Sequence, residues 1–297
     1  MQRFNQILYY LRESPMLAVG FIMVSVIVLF GLLGPLFVDT SLAQPLSTTP
    51  RMEPSWEHPF GTDDSGRDLL SVMVVGVPLT MRIGLLAGAV GLGLGIFLGF
   101  TSGYLGGKFD TAVRGVVDTL LTVPGLVVLV SIASTIREEI SVNIMALVVA
   151  SLAWMWPTRV IRSQVLSMRE RAYVQMAKLN GMSNAEIIWK ELFPNLLPYL
   201  AAQFANAVNW AILSSIGLEA LGLGPQNDPT VGMTIYWAIT FSALIRGMWW
   251  WWAIPIAFIG LIFVGLLMIA VGLDELANPK QRKAVDRKST RLNSSHQ

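Results

Sequence analysis

The feature that most constrains the fold of this sequence is a succession of long apolar segments without charged residues. The first, residues 17–38, contains 22 uncharged residues. As a helix with a rise of about 1.5 Å per residue it would be roughly 33 Å long, enough to cross a bilayer. Of the 297 residues 54% are hydrophobic and only 13% are charged, which is outside the range of soluble domains. The chain is therefore predicted to be an all-α, polytopic membrane helix bundle.

The positions of the apolar segments predict six transmembrane helices. They are residues 17–38, 83–107, 119–136, 141–158, 196–218 and 248–272. The first is too long, and lacks the small-residue cleavage site, for a signal peptide, so it is predicted to be retained. Segment 231–245 is uncharged but too short to span comfortably and is predicted to be a re-entrant or surface-lying helix. Within 83–107, glycines recur at four-residue spacing, which predicts close helix packing. These glycines are Gly84 and Gly88, and Gly91, Gly95 and Gly99.

The charge distribution predicts the orientation. With both termini inside, the inside segments hold 13 lysines and arginines and the outside segments and their margins hold 5, the asymmetry expected for a cytoplasmic side. The predicted divisions are a cytoplasmic N-terminal segment (1–16), a first transmembrane helix (17–38), an extracytoplasmic segment (39–78) and a transmembrane core (79–279). Residues 286–297 resemble a translated sequencing adapter and are excluded as an artefact.

A polar segment at residues 169–198 interrupts the apolar pattern. Residues 170–180 are rich in helix formers, and Gly181 most easily adopts the left-handed conformation that closes a helix. Ser183 and Glu186 have the spacing of a capping box, so a second short helix is predicted to start there. Pro194 and Pro198 are predicted to break that helix. The segment is therefore expected to form a helix, a sharp turn and a helix outside the membrane.

This segment resembles the cytoplasmic coupling loop of bacterial ABC-importer permeases. In that family Glu-Ala-Ala is followed by three residues, Gly, nine residues and Ile-x-Leu-Pro, and Ala177, Gly181 and Pro194 fall on the pattern. Gln175 and Met176 replace its Glu and Ala, while Glu191 and Phe193 replace its Ile and Leu. The resemblance implies that the loop inserts into a groove on a separate ATPase subunit. The residues assigned to ATPase coupling are Tyr173, Gln175, Met176, Ala177, Gly181, Ser183, Glu186 and Pro194.

A second string, His-Pro-Phe-Gly-Thr-Asp-Asp-Ser-Gly-Arg-Asp at residues 58–68, resembles the signature of the dipeptide/oligopeptide permease subfamily. Its signature residues are His58, Gly61, Thr62, Asp63, Gly66, Arg67 and Asp68. A surface loop tied by local Asp and Arg hydrogen bonds is a compatible interpretation. No metal site is predicted here, because a lone histidine has no second ligand at a fixed spacing.

The predicted fifth span carries a polar face. Gln203, Asn206, Asn209 and Ser214, with Ser215, occupy roughly a third of the helix circumference at about 100° per residue. Because polar side chains are costly in hydrocarbon unless they face water or the bundle interior, the first four are predicted to line a translocation path. Interhelical hydrogen bonds that only hold the bundle together remain an alternative.

The resemblance implies a type I ABC permease fold and the pore-forming subunit of an ATP-driven importer in a bacterial or archaeal cytoplasmic membrane. The implied cargo is peptides or related small solutes, with oligosaccharides or nickel as alternatives. The implied partners are a second homologous permease subunit, two ATPase subunits and an extracytoplasmic substrate-binding protein, without nucleic acid. The sequence contains no Gly-x4-Gly-Lys-Ser/Thr phosphate loop, so no enzyme activity and no cofactor are expected, and ATP would be bound by partner subunits.

Two other classes lack supporting residues. An ion-coupled secondary transporter needs ionisable groups within spans and an inverted repeat, but Asp118 and Glu219 lie near predicted span ends. An intramembrane hydrolase needs a histidine beside a serine, or paired acids, at membrane depth, and no predicted span contains a histidine.

Overall fold

The computed structural model describes residues 14–277. The residues before 14, the lysines and arginine at 280–283 and the adapter-like tail, on which the predictions for the two termini depend, lie outside this described part. Within it the chain forms helices joined by loops, and its β-structure is limited to an isolated bridge between Thr62 and Asp68. The prediction of an all-α chain is confirmed.

Eleven α-helices are present in the described range. They are α1 (Pro15–Leu33), α2 (Leu69–Leu105), α3 (Gly107–Thr122), α4 (Gly125–Thr135), α5 (Val142–Ala153), α6 (Met155–Met168), α7 (Ala172–Leu179), α8 (Asn184–Glu186), α9 (Phe193–Ala220), α10 (Val231–Thr240) and α11 (Trp249–Ala277). Short 3-10 helices at Gly34–Leu36 and Thr40–Ala43 follow α1, and a π-helical segment, Ile187–Leu192, joins α8 to α9.

Four helical segments are long and apolar enough to cross a membrane: Pro15–Leu36, Leu69–Leu105, Val142–Met168 and Trp249–Leu276. A fifth is obtained if the bent pair α3 and α4 counts as one span. The remaining predicted span, the fifth at residues 196–218, lies in α9, which has 28 residues but is less apolar because of its polar face. The multi-span prediction is confirmed, and the number six is approximate.

The predicted span at residues 119–136 is wrong as a single helix. Its first residues, up to Thr122, belong to α3, and α3 and α4 meet at an angle of 88°. The break falls at Val123, whose backbone is extended (ψ 134°). Val123 precedes Pro124, and the proline ring disfavours the helical conformation of the residue before it. The 88° bend therefore falls at the junction of Val123 and Pro124, where the local sequence disfavours a continuous helix.

Helix α2 begins at Leu69, well before the predicted start of its span at residue 83 and inside the segment assigned as extracytoplasmic. The Asp68 side chain accepts a hydrogen bond from the backbone N–H of Ser71 and caps the helix. Pro78 lies within the helix without ending it. With 37 residues α2 is roughly 55 Å long, so it extends beyond a hydrocarbon core of about 30 Å.

The glycines of α2 make the close helix contacts predicted for them. Gly84 and Gly88 lie against Ile212 and Val208 of α9. Gly91 lies against Ala153 at the end of α5, and farther along Gly95 and Gly99 lie against Pro157 and Ile161 of α6. The first set of glycines therefore packs against α9 and the second against α5 and α6, which places α2 at the centre of the bundle.

Helix α10 is anchored by its N-terminus in the interior of the bundle. Its first three residues, at positions 231–233, are buried, and the Val231 N–H donates to the Thr80 hydroxyl of α2 at 3.0 Å. The buried Glu219 carboxylate accepts a hydrogen bond from the Thr230 hydroxyl at 2.6 Å. A surface-lying α10 is therefore wrong for its first turn, and the helix ends at Thr240 rather than near Ile245.

Candidate functional site

The coupling loop, residues 169–198, is delivered by α6. The span predicted at residues 141–158 ends within α6, and this helix continues beyond residue 158 to Met168. At the start of the loop the Arg169 side chain donates a hydrogen bond from Nη1 to the carbonyl oxygen of Gly103, at 3.3 Å. Because Gly103 lies in the last turn of α2, the loop is fastened to the ends of two long helices.

The first half of the loop ends in the predicted left-handed turn. Helix α7 stops at Leu179, and Gly181 has a φ of +79°. The N–H of Gly181 donates to the Lys178 carbonyl at 3.0 Å, and that of Met182 donates to the Ala177 carbonyl at 3.2 Å. These bonds satisfy carbonyl groups that the end of a helix leaves unpaired. The predicted role of Gly181 in closing the helix is confirmed.

The second half opens with the predicted capping box. The Glu186 N–H donates to the Ser183 hydroxyl at 3.3 Å, and the Ser183 N–H donates to the Glu186 carboxylate at 3.0 Å. Lys190 donates to the other carboxylate oxygen at 2.9 Å. Hydrogen bonds from Lys190 and from Ser183 hold the pKa of Glu186 at about 2. The carboxylate is therefore charged at neutral pH, as its two bonds require.

The predicted helix break at Pro194 and Pro198 is wrong. The chain remains helical from α8 through the π-helical segment into α9, where Pro194 lies in the first turn and Pro198 lies inside the helix. Pro194 removes one backbone N–H from this continuous helix, at the junction where the π-helical pattern changes to the α-helical one. The wider π-helical turn before it changes the backbone spacing that would otherwise bring the Pro194 ring against the carbonyl of Lys190. The loop therefore connects rigidly to α9.

The coupling loop has a buried face and an exposed face. Val174, Ala177, Ile187 and Leu192 are buried in one cluster with residues of α2, α6 and α9. On the opposite face Met176, Leu179 and Trp189 are 58%, 81% and 59% exposed. Large apolar side chains that face solvent in a polar loop are typical of a docking surface.

The predicted coupling residues are divided between these faces. Gln175 and Met176 are exposed, as are Gly181, Ser183 and Pro194, whereas Glu186 is partly exposed. Ala177 is buried, and the hydroxyl of the half-buried Tyr173 has no hydrogen-bond partner in the described range. Tyr173 and Ala177 therefore belong to the buried face of the loop and not to its exposed face.

The polar face of α9 separates into two groups. Gln203 and Asn206 line a cavity of about 430 Å³, which we name the amide cavity. Its other lining residues are Leu121, Leu152, Ala153, Met155, Trp156, Pro157, Ala207 and Trp210. Asn209 instead donates to the Phe263 carbonyl of α11 at 3.4 Å, and Ser214 does not line this cavity. The interhelical alternative therefore fits Asn209, and the cavity fits the other two amides.

The signature residues form a tightly bonded loop. The Thr62 hydroxyl donates to the Thr49 carbonyl at 2.7 Å, and one Asp63 oxygen accepts from the N–H groups of Ser65 and Arg67 at 2.8 and 2.9 Å. Burial raises the pKa of Asp63, against the effect of the Arg67 hydrogen bond. Gly61 and Gly66 have positive φ values, where a side chain would also meet nearby backbone oxygen atoms.

The signature loop also joins two helices. The second Asp68 oxygen lies 2.8 Å from Nδ1 of His58, while the first caps α2. The Trp250 indole of α11 donates to the Thr62 carbonyl at 3.1 Å. Local hydrogen bonds therefore explain this string. Together with the bond from Trp250 they fix the loop between α2 and α11, and we name this arrangement the clasp.

We expect Asp68→Ala to lower the stability of the folded chain by about 1–2 kcal/mol, because α2 loses its cap and His58 loses its partner. The matched control is Asp39→Ala, which removes a cap from the short helix at Thr40–Ala43 at an exposed position. Thermal unfolding in detergent should show a clear loss of Tm for the first variant and little change for the second. Equal shifts would contradict the clasp.

The sequence analysis missed residues on α3, α6 and α9. Asp110 and Arg162 form an ion pair with Nη2 and Oδ2 2.6 Å apart, which joins α3 to α6. Trp210 borders the amide cavity with Asn206, and their four-residue spacing is the signal that places both on one face of α9. Trp156 borders it from α6, which only the folded chain reveals because these two helices are distant in sequence.

Comparison with known proteins identifies the family. A family model described as "Binding-protein-dependent transport system inner membrane component" matches residues 91–283. The chain is 30% identical to the dipeptide transport system permease protein DppC of Alkalihalophilus pseudofirmus, over 92% of this chain and 88% of the relative. It is 30% identical to the probable D,D-dipeptide transport system permease protein DdpC of Escherichia coli, over 94% and 93% of the two chains.

A third relative is the oligopeptide transport system permease protein OppC of Mycobacterium tuberculosis, 30% identical over 77% of this chain and 78% of that protein. The family model covers well over half of the chain, and the similarity to the first two relatives extends over most of both chains. The predicted resemblance to ABC-importer permeases is confirmed. The chain therefore belongs to the family of binding-protein-dependent transport system inner membrane components, the permease subunits of ABC importers.

Proposed function

We propose that this chain is the pore-forming permease subunit of an ATP-driven importer for peptides or related small solutes, and that it receives mechanical work through the coupling loop. The observation that carries the proposal is the geometry of that loop, with three exposed apolar side chains above a buried face continuous with α2, α6 and α9. The names of the dipeptide and oligopeptide permease relatives support peptides as the cargo class.

The loop is connected to the helices that border the amide cavity. Its buried face packs on α6 and on the first turns of α9, Arg169 bonds to α2, and Arg162 bonds to α3. A displacement of the loop by an ATPase would therefore move α6 and α9 as packed bodies, because close-packed interiors transmit displacement. Such a movement would switch the cavity between the two sides of the membrane.

The proposed assembly contains this subunit, a second homologous permease subunit, two ATPase subunits and an extracytoplasmic substrate-binding protein. ATP would be bound by the ATPases, so this chain would need no cofactor and would catalyse no reaction itself. Both termini would lie in the cytoplasm, since the coupling loop and most lysines and arginines belong to the same side.

Reconstitution of the importer in proteoliposomes tests this proposal. With the binding protein outside and ATP inside, we expect uptake of a radiolabelled dipeptide that stops when the ATPase carries an inactivating phosphate-loop substitution. The control contains the permease subunits alone with an imposed proton gradient, and no uptake is expected there. Uptake driven by that gradient without an ATPase would overturn the proposal in favour of a secondary transporter.

A further inference from the structure

We propose that the amide cavity is a binding subsite for the peptide backbone of the cargo, in which Gln203 and Asn206 pair with backbone C=O and N–H groups and two tryptophans cover the bound chain. The inference rests on the proposed function, which supplies peptides as the cargo class. It goes further by naming the atoms that recognise them.

The cavity lies where two helices are interrupted. Its wall includes Leu121, at the end of α3 before the 88° bend, and the residues around the break between α5 and α6. At that second break Pro157 has no N–H with which to bond the Ala153 carbonyl four residues earlier. Irregular backbone at membrane depth is tolerated where it lines a cavity, and transporters commonly bind their cargo beside discontinuous helices.

The two amides at the cavity are not used by the rest of the chain. Within residues 14–277 the side-chain amides of the buried Gln203 and the partly exposed Asn206 form no hydrogen bond. The amide of Asn209, one turn farther along α9, donates from Nδ2 to α11, although its buried Oδ1 has no partner in this range. An amide left without a partner in an apolar environment costs a few kcal/mol. Two such amides on one cavity wall therefore indicate a polar partner that arrives there.

The chemistry of the wall selects that partner. Each amide side chain presents donors and an acceptor, which match the C=O and N–H groups of a peptide bond. The lining contains no charged residue, so the wall offers nothing that distinguishes acidic from basic side chains. Trp156 and Trp210 are 57% and 39% exposed and can pack on side chains of varied shape. A volume of about 430 Å³ is within the usual range of small-molecule sites.

Cysteine labelling tests the subsite directly. The chain contains no cysteine, so a single introduced thiol is the only label site in this subunit. In the complete importer, with reactive cysteines removed from the other subunits, Asn206→Cys should react with a small water-soluble methanethiosulfonate reagent. A saturating dipeptide with its binding protein and ATP should slow that reaction at least fivefold. The control is Lys108→Cys on the exposed start of α3, whose labelling should not change.

The outcomes separate the subsite from the proposed function. The subsite would be overturned if the Asn206→Cys variant were labelled equally with and without dipeptide. It would also be overturned if this variant were not labelled in any state, because another subunit or lipid would then cover the wall. If Asn206→Cys fails to assemble, Ala207→Cys on the same wall replaces it, with the same expected protection. If labelling is the same with and without dipeptide, ATP-dependent uptake in the proteoliposome assay would still be seen, so the proposed function would stand.

A second measurement concerns specificity. The pair Gln203→Leu and Asn206→Leu should lower uptake about tenfold for acidic, basic and neutral dipeptides alike, because the lost hydrogen bonds reach the common backbone. Leu213→Ala, an exposed position on the same helix but outside both the coupling loop and the cavity, should leave uptake near that of the unaltered importer. A loss confined to dipeptides of one charge would contradict backbone recognition.

Discussion

Replacing Gly181 with valine is expected to lower peptide uptake about tenfold while the chain still inserts and assembles with its partner permease. Gly181 has a φ of +79°, and a β-branched residue in this conformation costs about 1–2 kcal/mol. Because about 1.4 kcal/mol corresponds to a factor of ten, the ratio of opened to closed turns would rise about tenfold, and the exposed face of the loop would lose its shape correspondingly more often. Uptake and ATPase co-purification, measured in parallel, check this result.

The chain supplies a matched control for this substitution. Gly247 has a φ of +75°, and like Gly181 it has no atom within 4 Å of an added Cβ, but it lies in the turn before α11. Gly247→Val should introduce similar backbone strain with little effect on uptake. Gly181→Asn should retain most activity, because asparagine tolerates the left-handed conformation better than valine does. Normal uptake and a normal ATPase yield with Gly181→Val would contradict the coupling role.

Replacing Gly91 with alanine is expected to destabilise the bundle by about 2 kcal/mol. The added Cβ would lie 2.5 Å from the Cβ of Ala153 and 2.8 Å from its carbonyl carbon and oxygen. Backbone atoms cannot rotate away, so α2 and α5 must separate, and overpacking of this kind costs about 1–3 kcal/mol. We expect a lower Tm of the purified permease and a reduced yield of assembled importer.

Gly93, two residues farther along the same helix, provides the comparison. An added Cβ there meets no atom within 4 Å, so Gly93→Ala removes no contact and gains up to about 1 kcal/mol of helix propensity. The two substitutions therefore have expected effects of opposite sign, although they are chemically identical. Equal Tm changes would show that the approach of α2 to α5 is not what holds this part of the bundle together.

Much of the architecture follows from local sequence. The uncharged run after Ser14 predicts α1, the spacing of Ser183 and Glu186 predicts the capping box, and Gly181 predicts the end of α7. These features depend on residues close together in the chain, whose hydrogen bonds and conformations do not require a distant partner. For the same reason the four-residue glycine spacing predicts close packing, but not which helices the glycines meet.

The errors arise where distant residues decide the outcome. Pro194 and Pro198 predict a helix break, yet the π-helical segment before them and the packing of α9 on α2 keep the chain helical. The polar residues of α9 predict one continuous face, yet a carbonyl of α11 accepts from Asn209 and leaves Gln203 and Asn206 at the cavity. The signature string predicts the local hydrogen bonds of its loop correctly, but not the bond that it receives from Trp250.

The sequence by itself determined that this chain is helical, crosses a membrane several times and carries a capped left-handed turn between two of its spans, because length, hydropathy and capping act within a few residues. Only the tertiary structure decided which amides are left without partners and where two broken helices meet to form a cavity, because those facts depend on contacts between residues far apart in the chain.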